Sequence, residues 1–257
     1  MRDWADALVA LLLAPTCAAC GVPLRHPTRG CVCETCWSRV DTPSAPRCLR
    51  CGDTDTHRHN SPRGNAAEAN PHRAIDGPRL SHCVHCLTVP SSIERARAIG
   101  PYAGSLRDIL HALKYDGRRS LAAPLAHRMR LAGADLLEQS DIAIPVPLHP
   151  RRRRERGFNQ AADLAQHLGL PVLQALTRRK PTPSQTTLHA TERHQNMHGA
   201  FRMSTRVTGI RGAAVLLVDD VRTTGATLDS CAVALQDAGV RVVFALTAAR
   251  VESSRLR

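Results

Sequence analysis

The feature that most constrains this chain is the stretch Ala214–Thr227, AVLLVDDVRTTGAT, in which an unbroken apolar run changes abruptly to two carboxylates. An apolar run bounded by polar turn residues is typical of a strand buried on both faces, as in parallel sheets. Val240–Leu246 is a second such run, and the segment between them has the apolar face of a helix that ends near Gly239. Cys231 lies on that face, so we assign it to packing. The pattern predicts a βαβ unit and an α/β fold, with a mostly parallel sheet flanked by helices.

The residues that follow the apolar run predict a site for a phosphorylated ligand. Asp219 and Asp220 come at the carboxyl end of the predicted strand, where open α/β sheets bind their ligands. The loop and helix start behind them combine hydroxyl groups with small residues, which suits phosphate; these residues are Thr223, Thr224, Gly225, Ala226 and Thr227. The alternative is an acidic strand end that merely caps the helix, although capping needs one polar residue rather than several.

The N-terminal part of the chain carries four CxxC pairs. Nine of the ten cysteines precede residue 87, and clustered CxxC pairs in a cytosolic chain indicate metal binding rather than disulfides. Two such turns supply the four thiolates of a tetrahedral Zn²⁺ site, so we predict roughly one to two structural zinc ions. The candidate ligands are Cys17, Cys20, Cys33 and Cys36 for one site, and Cys48, Cys51, Cys83 and Cys86 for the other.

Two features leave the zinc ligands open. Cys31 lies beside the second CxxC pair and could compete with Cys33. A long segment, Asp53–Leu80, separates Cys51 from Cys83, and closing a longer loop costs more entropy, though only slowly. This segment has neither helical nor strand periodicity, so we predict an exposed, largely disordered insert.

From Ile93 the composition becomes that of an ordinary folded domain. Apolar residues spaced i, i+3, i+4 and i+7 over Leu106–Leu113 predict an amphipathic helix that ends in a cationic segment beginning at Lys114. Leu121–Leu137 predicts a second, less regular helix. Asp141–Pro147 predicts a short strand that is stopped by proline.

The most basic stretch is His149–Gly157, which follows that strand. Arginine binds phosphate bidentately, so this stretch supplies candidate ligands of pyrophosphate or of a DNA backbone. The candidates are Lys114, Arg152, Arg154 and Arg156. The alternative is a solvated charge run. Further along, Lys180–Thr186 and Glu192–Phe201 lack clear periodicity, which is compatible with a functional loop or with a surface linker.

Asp219–Thr227 resembles the phosphoribosyl pyrophosphate (PRPP) motif of type I phosphoribosyltransferases, and nearly the whole chain resembles the ComF family (ComFC or GntX-like proteins). The resemblance includes the paired CxxC ribbon and continues through segments in one fixed order: His111–Gly117, Pro145–Gln160 (PVPLHPRRRRERGFNQ), Thr182–Gln185 (TPSQ), Glu192–Phe201 (ERHQNMHGAF) and VLLVDDVRTTGAT. The chain departs from the family pattern in the insert at 53–82 and in Cys31.

The resemblance implies an N-terminal double zinc ribbon over residues 1–90 and a phosphoribosyltransferase-like domain over 91–257 that binds PRPP with Mg²⁺. Asp219 and Asp220 would hold the ribose hydroxyls, and Thr223–Thr227 would hold the 5′-phosphate. It also implies a link to natural competence and DNA uptake, with single-stranded DNA and competence proteins as partners. The alternative function is an active phosphoribosyltransferase of nucleotide metabolism. No nucleobase-recognition segment stands out, so we assign neither acceptor nor catalytic residue.

Charge and hydropathy narrow the function classes. The net charge of +13 favours polyanionic partners, either nucleic acid or a small phosphorylated molecule. The aromatic content of 3% counts against a binding mode in which bases stack on the protein. No apolar run reaches the roughly 18 residues of a membrane span. The apolar Ala7–Ala14 follows Asp3 and Asp6, the wrong charge for a signal peptide, so we expect a cytoplasmic protein.

Overall fold

A four-stranded parallel sheet lies at the centre of the computed structural model, which describes residues 2–40, 48–53, 82–178, 200–205 and 207–251. The described strands are β1 (Arg95–Pro101), β2 (Ile142–Pro145), β3 (Leu176–Arg178), β4 (Phe201–Met203), β5 (Ala214–Arg222) and β6 (Val242–Arg250). The sheet has the order β1-β6-β5-β2, and β3 and β4 form a separate antiparallel pair. The predicted parallel sheet is therefore confirmed.

Helices cover both faces of this sheet. They are α1 (Arg2–Leu13), α2 (Glu34–Ser38), α3 (Val84–Thr88), α4 (Gly104–Tyr115), α5 (Ala122–Ala132), α6 (Ala134–Leu137), α7 (Pro150–Arg156), α8 (Gln160–Ala165) and α9 (Ala226–Asp237). Short 3₁₀ turns occupy Pro27–Arg29 and Arg119–Leu121. Among these described helices, none has the length and apolar character that crossing a bilayer requires.

β5 is buried on both faces, as its apolar run predicts. Residues Ala214 to Val218 are all inaccessible to solvent. Leu216 and Val218 pack into the core formed with α4, α5 and α8, whereas Val215 and Leu217 pack into the core on the α9 side. Alternation along a strand sends successive side chains to opposite faces, so a continuous apolar sequence is what this central position requires.

The N-terminal cysteine-rich segment packs onto the same side of the sheet as α4 and α5. Cys17, Leu24 and Cys36 belong to the core that these helices share. The guanidinium of Arg128 on α5 lies 3.9 Å from the centre of the Trp37 ring on α2, a cation–π contact. The first cysteine group is thus attached to the sheet domain through packed side chains.

α1 is held to the cysteine-rich segment by a buried carboxylate. Asp6 accepts hydrogen bonds from the backbone N–H of Thr28 at 2.9 Å and from its hydroxyl at 2.7 Å. Nδ1 of His26 lies 3.1 Å from the same carboxylate. The Thr28 donors hold the pKa of Asp6 below its ordinary value. The helix ends at Leu13, before Pro15.

The prediction of one helix over Leu121–Leu137 is wrong. α5 ends at Ala132 and α6 begins at Ala134, on either side of Gly133. A Cβ at Gly133 would lie 2.7 Å from Cδ1 of the buried Leu246 on β6. The chain therefore breaks the helix where its backbone touches the sheet core, and only glycine fits at that contact.

Candidate functional site

The acidic pair lies inside the carboxyl-terminal half of β5, because the strand extends to Arg222 rather than ending at Val218. Asp219 is in register with Thr247 of β6. The backbone N–H of Asp220 donates a 2.8 Å hydrogen bond to Oδ1 of Asp219. The two carboxylates are adjacent in sequence and therefore project toward opposite faces of the strand.

Asp219 has an unusual proton affinity. Burial raises the pKa of its carboxyl to about 7, with the charge of Asp220 as a further cause. The Asp220 N–H, Lys114 and Arg178 act in the opposite direction without cancelling the rise. Asp219 can therefore lose its proton near neutral pH and then bind a cation or accept a hydrogen bond from a hydroxyl group.

The loop at Thr223–Thr227, which follows β5, has the geometry of an anion-binding loop, and we call it the anion cradle. Gly225 is buried and lies in the left-handed region with φ 87°, where an L side chain is strained. The hydroxyl of Thr224 accepts from the N–H of Ala226 at 3.4 Å. Ala226 and Thr227 lie in the first turn of α9, so the 12-residue helix directs its N-terminus at this loop.

Lys114 connects the acidic pair to a neighbouring helix. It lies at the end of α4, and its Nζ is 3.2 Å from Oδ1 of Asp220, with both side chains largely buried. The ammonium also lies 5.6 Å from the ring centre of Tyr102. The ion pair places a cation of α4 directly beside the end of β5.

A cavity of about 350 Å³ opens beside this ion pair. Its lining includes three of the four predicted cations, Lys114, Arg152 and Arg156, together with Phe158. Arg154 is exposed on α7 and is not part of the lining. The basic stretch after β2 thus forms a helix, α7, which directs Arg152 and Arg156 at the cavity.

Arg178 and His149 belong to the site and were missed by the sequence reasoning. Arg178 on β3 lies 5.4 Å from the ring centre of Phe201. Burial lowers the pKa of its guanidinium, the charge of Arg152 does the same, and the charge of Asp219 opposes both. Burial and then the charges of Arg178 and Arg152 lower the pKa of His149. Arg178 carries no local motif, and only the tertiary structure brings it near Asp219.

The first cysteine group fits a zinc ion. The Sγ atoms of Cys17, Cys20, Cys33 and Cys36 all lie within 4.8 Å of one another, and those of Cys20 and Cys33 are 3.8 Å apart. Tetrahedral zinc with Zn–S bonds of about 2.3 Å needs sulfurs about 3.8 Å apart. The competing thiol, Cys31, lies apart from this group, with its Sγ 3.7 Å from the hydroxyl of Ser120.

The second cysteine group also fits zinc, in spite of the long intervening segment. Sγ atoms of its four cysteines again lie within 4.8 Å of one another, and those of Cys51 and Cys83 are 3.6 Å apart. Backbone N–H groups of Cys51 and Cys83 donate to Sγ of Cys48, which favours its thiolate form. The structure thus provides for two zinc ions.

Asp53 corrects the predicted start of the exposed insert. Its carboxylate is buried and lies 3.1 Å from Nη1 of Arg250, at the end of β6. Residues 54–80, which form the rest of the predicted insert, lie outside the described residues, as do the loop segments at 180–186 and 192–199. The chain that precedes the insert is therefore anchored on the end of β6.

The segment that follows the second cysteine group contacts the first turn of α9, next to the anion cradle. Beyond Cys86, the hydroxyl of Ser91 and the N–H of Ser92 donate to Oδ1 of Asp229, at 2.5 and 3.2 Å. Asp229 lies in the first turn of α9, and its own N–H donates to the carbonyl of Gly225. One carboxylate therefore joins the segment after the cysteines to the loop before α9.

Comparison with known proteins finds relatives of this chain. Residues 154–257 match the phosphoribosyl transferase domain. The chain is 31% identical over 240 residues to the DNA utilization protein YhgH of Shigella flexneri, covering 88% of this chain and 93% of that protein. It is 33% identical over 172 residues to competence protein F of Haemophilus influenzae, covering 63% and 75%. Among solved structures, the orotate phosphoribosyltransferase from Aeropyrum pernix is similar with a TM-score of 0.32 and 20% identity, covering 58% of this chain and 78% of that one.

Proposed function

Because the chain belongs to the ComF family of competence and DNA utilization proteins, with a phosphoribosyl transferase domain, we propose that it binds PRPP together with Mg²⁺ and acts in the use of incoming single-stranded DNA. The observation that carries this proposal is the convergence at the end of β5. The acidic pair, the anion cradle and Lys114 meet there, and the cavity with its cations opens beside them.

We assign each part of the site to one part of PRPP. Asp219 and Asp220 would accept hydrogen bonds from the ribose hydroxyls, and the cradle at Thr223–Thr227 would receive the 5′-phosphate. Lys114, Arg152 and Arg156 would face the pyrophosphate, because they line the adjoining cavity. Carboxylate oxygens beside phosphates are the donors that Mg²⁺ prefers, and the ion would neutralise part of the pyrophosphate charge.

Two structural Zn²⁺ ions complete the proposed assembly, each held by four thiolates of the ribbon over residues 1–90. Thiolates remain available to zinc under reducing conditions, so we place the protein in the cytoplasm. There it would meet single-stranded DNA together with other competence proteins. Exposed arginines such as Arg154 extend the basic surface beyond the cavity and suit a DNA backbone.

An active transferase is the second candidate, and the cavity favours it. A leaving pyrophosphate needs several cations in one place, and Lys114, Arg152 and Arg156 provide them. The reaction would break the bond between the anomeric carbon of the ribose and the pyrophosphate oxygen, and an acceptor nucleophile would form the new bond. Pyrophosphate release that needs both PRPP and an added acceptor would establish this activity.

Calorimetry with PRPP and Mg²⁺ tests the ligand. We expect saturable binding by the wild-type protein and at least about tenfold weaker binding by Asp220→Asn, because a hydrogen bond to a charged group contributes about 1.5–3 kcal/mol. Asp237→Asn is the matched control, since Asp237 is exposed at the other end of α9. If the wild-type protein does not bind PRPP, or if Asp220→Asn binds it as well as the wild type does, the proposal fails.

A further inference from the structure

Tyr115 is exposed although the chain has few aromatic side chains. All seven aromatic residues belong to the described part of the chain, and only Trp4 and Tyr115 are mostly open to solvent, at 85% and 61%. Phe158, Phe201 and Phe244 are buried. Trp4 lies on α1, whereas Tyr115 is the last residue of α4, directly after Lys114. The scarce aromatic surface therefore includes one ring at the candidate site.

Tyr115 lies at the cavity with a guanidinium over its face. The carbon at the centre of the Arg156 guanidinium is 4.9 Å from the ring centre of Tyr115. The ring of His111, one turn earlier on α4, lies at 4.3 Å and is tilted by 40°. Tyr115 and Arg156 both line the cavity that Lys114 and Arg152 also line. An exposed ring and a half-buried guanidinium thus adjoin the candidate phosphate pocket.

Planar side chains beside cations recognise nucleotides. Any of the bases can stack on an aromatic ring or on the plane of an arginine guanidinium, while nearby cations hold the phosphate. The base of a nucleotide stacked on Tyr115 or Arg156 would leave its phosphate facing Lys114 and Arg152.

We propose that Tyr115 and Arg156 form a stacking platform for the base of a nucleotide unit whose phosphate enters the adjoining cavity. The unit is either a free nucleotide or a residue of a single strand. This inference rests on the proposed function, because the same cations would hold the phosphates of PRPP and of the nucleotide. It assigns base binding to residues that no sequence motif marks. The low aromatic content therefore does not exclude stacking, since one exposed ring at the site is sufficient.

A fluorescent base tests the platform. A single-stranded oligonucleotide containing 2-aminopurine, and 2-aminopurine deoxyribonucleotide alone, are titrated into the full-length zinc-loaded protein at fixed ionic strength. We expect fluorescence quenching on binding to the wild type. For Tyr115→Leu we expect at least about fivefold weaker binding and loss of the quenching, because base–aromatic stacking contributes at least that much to affinity. Tyr115→Phe keeps the ring and should bind as the wild type does.

Three further measurements decide between explanations. Trp4→Leu removes the other exposed aromatic residue and should change neither affinity nor quenching. The dependence of affinity on salt should keep its slope in Tyr115→Leu, because no phosphate contact is lost. Calorimetry with PRPP on the wild-type protein, run beside these titrations, separates this inference from the proposed function.

The outcomes are distinct. Quenching of the oligonucleotide but not of the free nucleotide assigns the platform to single strands, and the reverse assigns it to nucleotides; both support it. Equal binding and quenching by Tyr115→Leu and wild type overturn the inference. A wild type that binds PRPP but neither probe also overturns it and leaves the ribose phosphate site standing. A wild type without PRPP binding refutes the proposed function instead.

Discussion

Asp219 shows how a single position controls the charge of the site. Its carboxyl lies at the end of a buried strand beside a second carboxylate, and the pKa of about 7 reflects first the burial and then the charge of Asp220. Lys114 lies 3.2 Å from Asp220, whose charge is one of the causes that raise the pKa of Asp219. Under the proposed function, ligand binding and proton release are therefore linked at this residue.

We predict that affinity for PRPP and Mg²⁺ increases as the pH rises through about 7. Below this pH Asp219 keeps its proton, and above it the ionised carboxylate can accept hydrogen bonds and attract the cation. Between pH 6 and pH 8 the ionised fraction grows about tenfold, so we expect an increase in affinity of roughly that size. Calorimetry at constant ionic strength measures it.

Asp219→Asn provides the control for this pH dependence, because PRPP itself also titrates. The variant should bind more weakly and should lose most of the increase between pH 6 and pH 8. If the variant and the wild type show the same pH profile, the titrating group is in the ligand and the role assigned to Asp219 is wrong.

At the scale of elements, local signals and tertiary contacts decided different boundaries. α7 begins with His149 as its N-cap, whose Nδ1 accepts from the N–H of Arg151, continues with Pro150 and ends at Gly157. These residues are the start and stop signals of a helix, so the sequence alone is sufficient to predict α7. The break between α5 and α6 is different, because it depends on Leu246, more than a hundred residues away.

We predict that Gly133→Ala destabilises the folded protein. The added methyl group would lie 2.7 Å from Cδ1 of Leu246, inside a packed core, and overpacking of this kind costs about 1–3 kcal/mol. Thermal or chemical denaturation of the variant and the wild type, both loaded with zinc, measures the loss.

A double-mutant cycle separates this clash from a change in helix propensity. In a Leu246→Ala background the space for the methyl group already exists, so Gly133→Ala should cost less than it does in the wild type, or should stabilise the protein. An equal effect in both backgrounds would mean that the contact with Leu246 is not the reason for the glycine.

At the scale of the whole molecule, the two cysteine groups contact the sheet domain in different ways. The first group packs through Trp37 against Arg128 on α5. The second is joined to the site, through the buried pair Asp53–Arg250 and through Ser91 and Asp229. Nη1 of Arg250 also donates to the carbonyl of Gly52 at 3.0 Å. Zinc at the second group should therefore stabilise the anion cradle.

We predict that Cys51→Ser loosens the cradle and that Cys20→Ser does not. Each variant should lose about one of two zinc ions per chain, because a tetrahedral site needs all four thiolates. Only Cys51→Ser should release the segment that holds Asp229, so amide hydrogen exchange over 223–229 should become faster in that variant alone.

Metal analysis and hydrogen exchange on the same preparations test this coupling. The Cys20→Ser protein serves as the matched control, since it also loses a zinc ligand. Equal exchange over 223–229 in the two variants would contradict a specific connection between the second group and the cradle. A wild-type protein that holds no zinc would remove the basis of the prediction.

The sequence by itself determined the elements that depend on neighbouring residues. The apolar run of Ala214–Val218 requires a strand buried on both faces, and the CxxC spacing brings two sulfurs of each pair within reach of one metal. The acidic pair and the threonine-rich loop follow at fixed distances along the chain, so their proximity needs no knowledge of the fold.

Only the tertiary structure decided what lies beside these elements. It joined Cys48 and Cys51 to Cys83 and Cys86 across the insert, brought Lys114 to Asp220, placed Arg178 near Asp219, and exposed Tyr115 at the cavity. The physical reason is that side-chain periodicity records whether a residue is buried but not which distant segment buries it. Contacts between elements depend on strand order and helix packing, and these are properties of the whole chain.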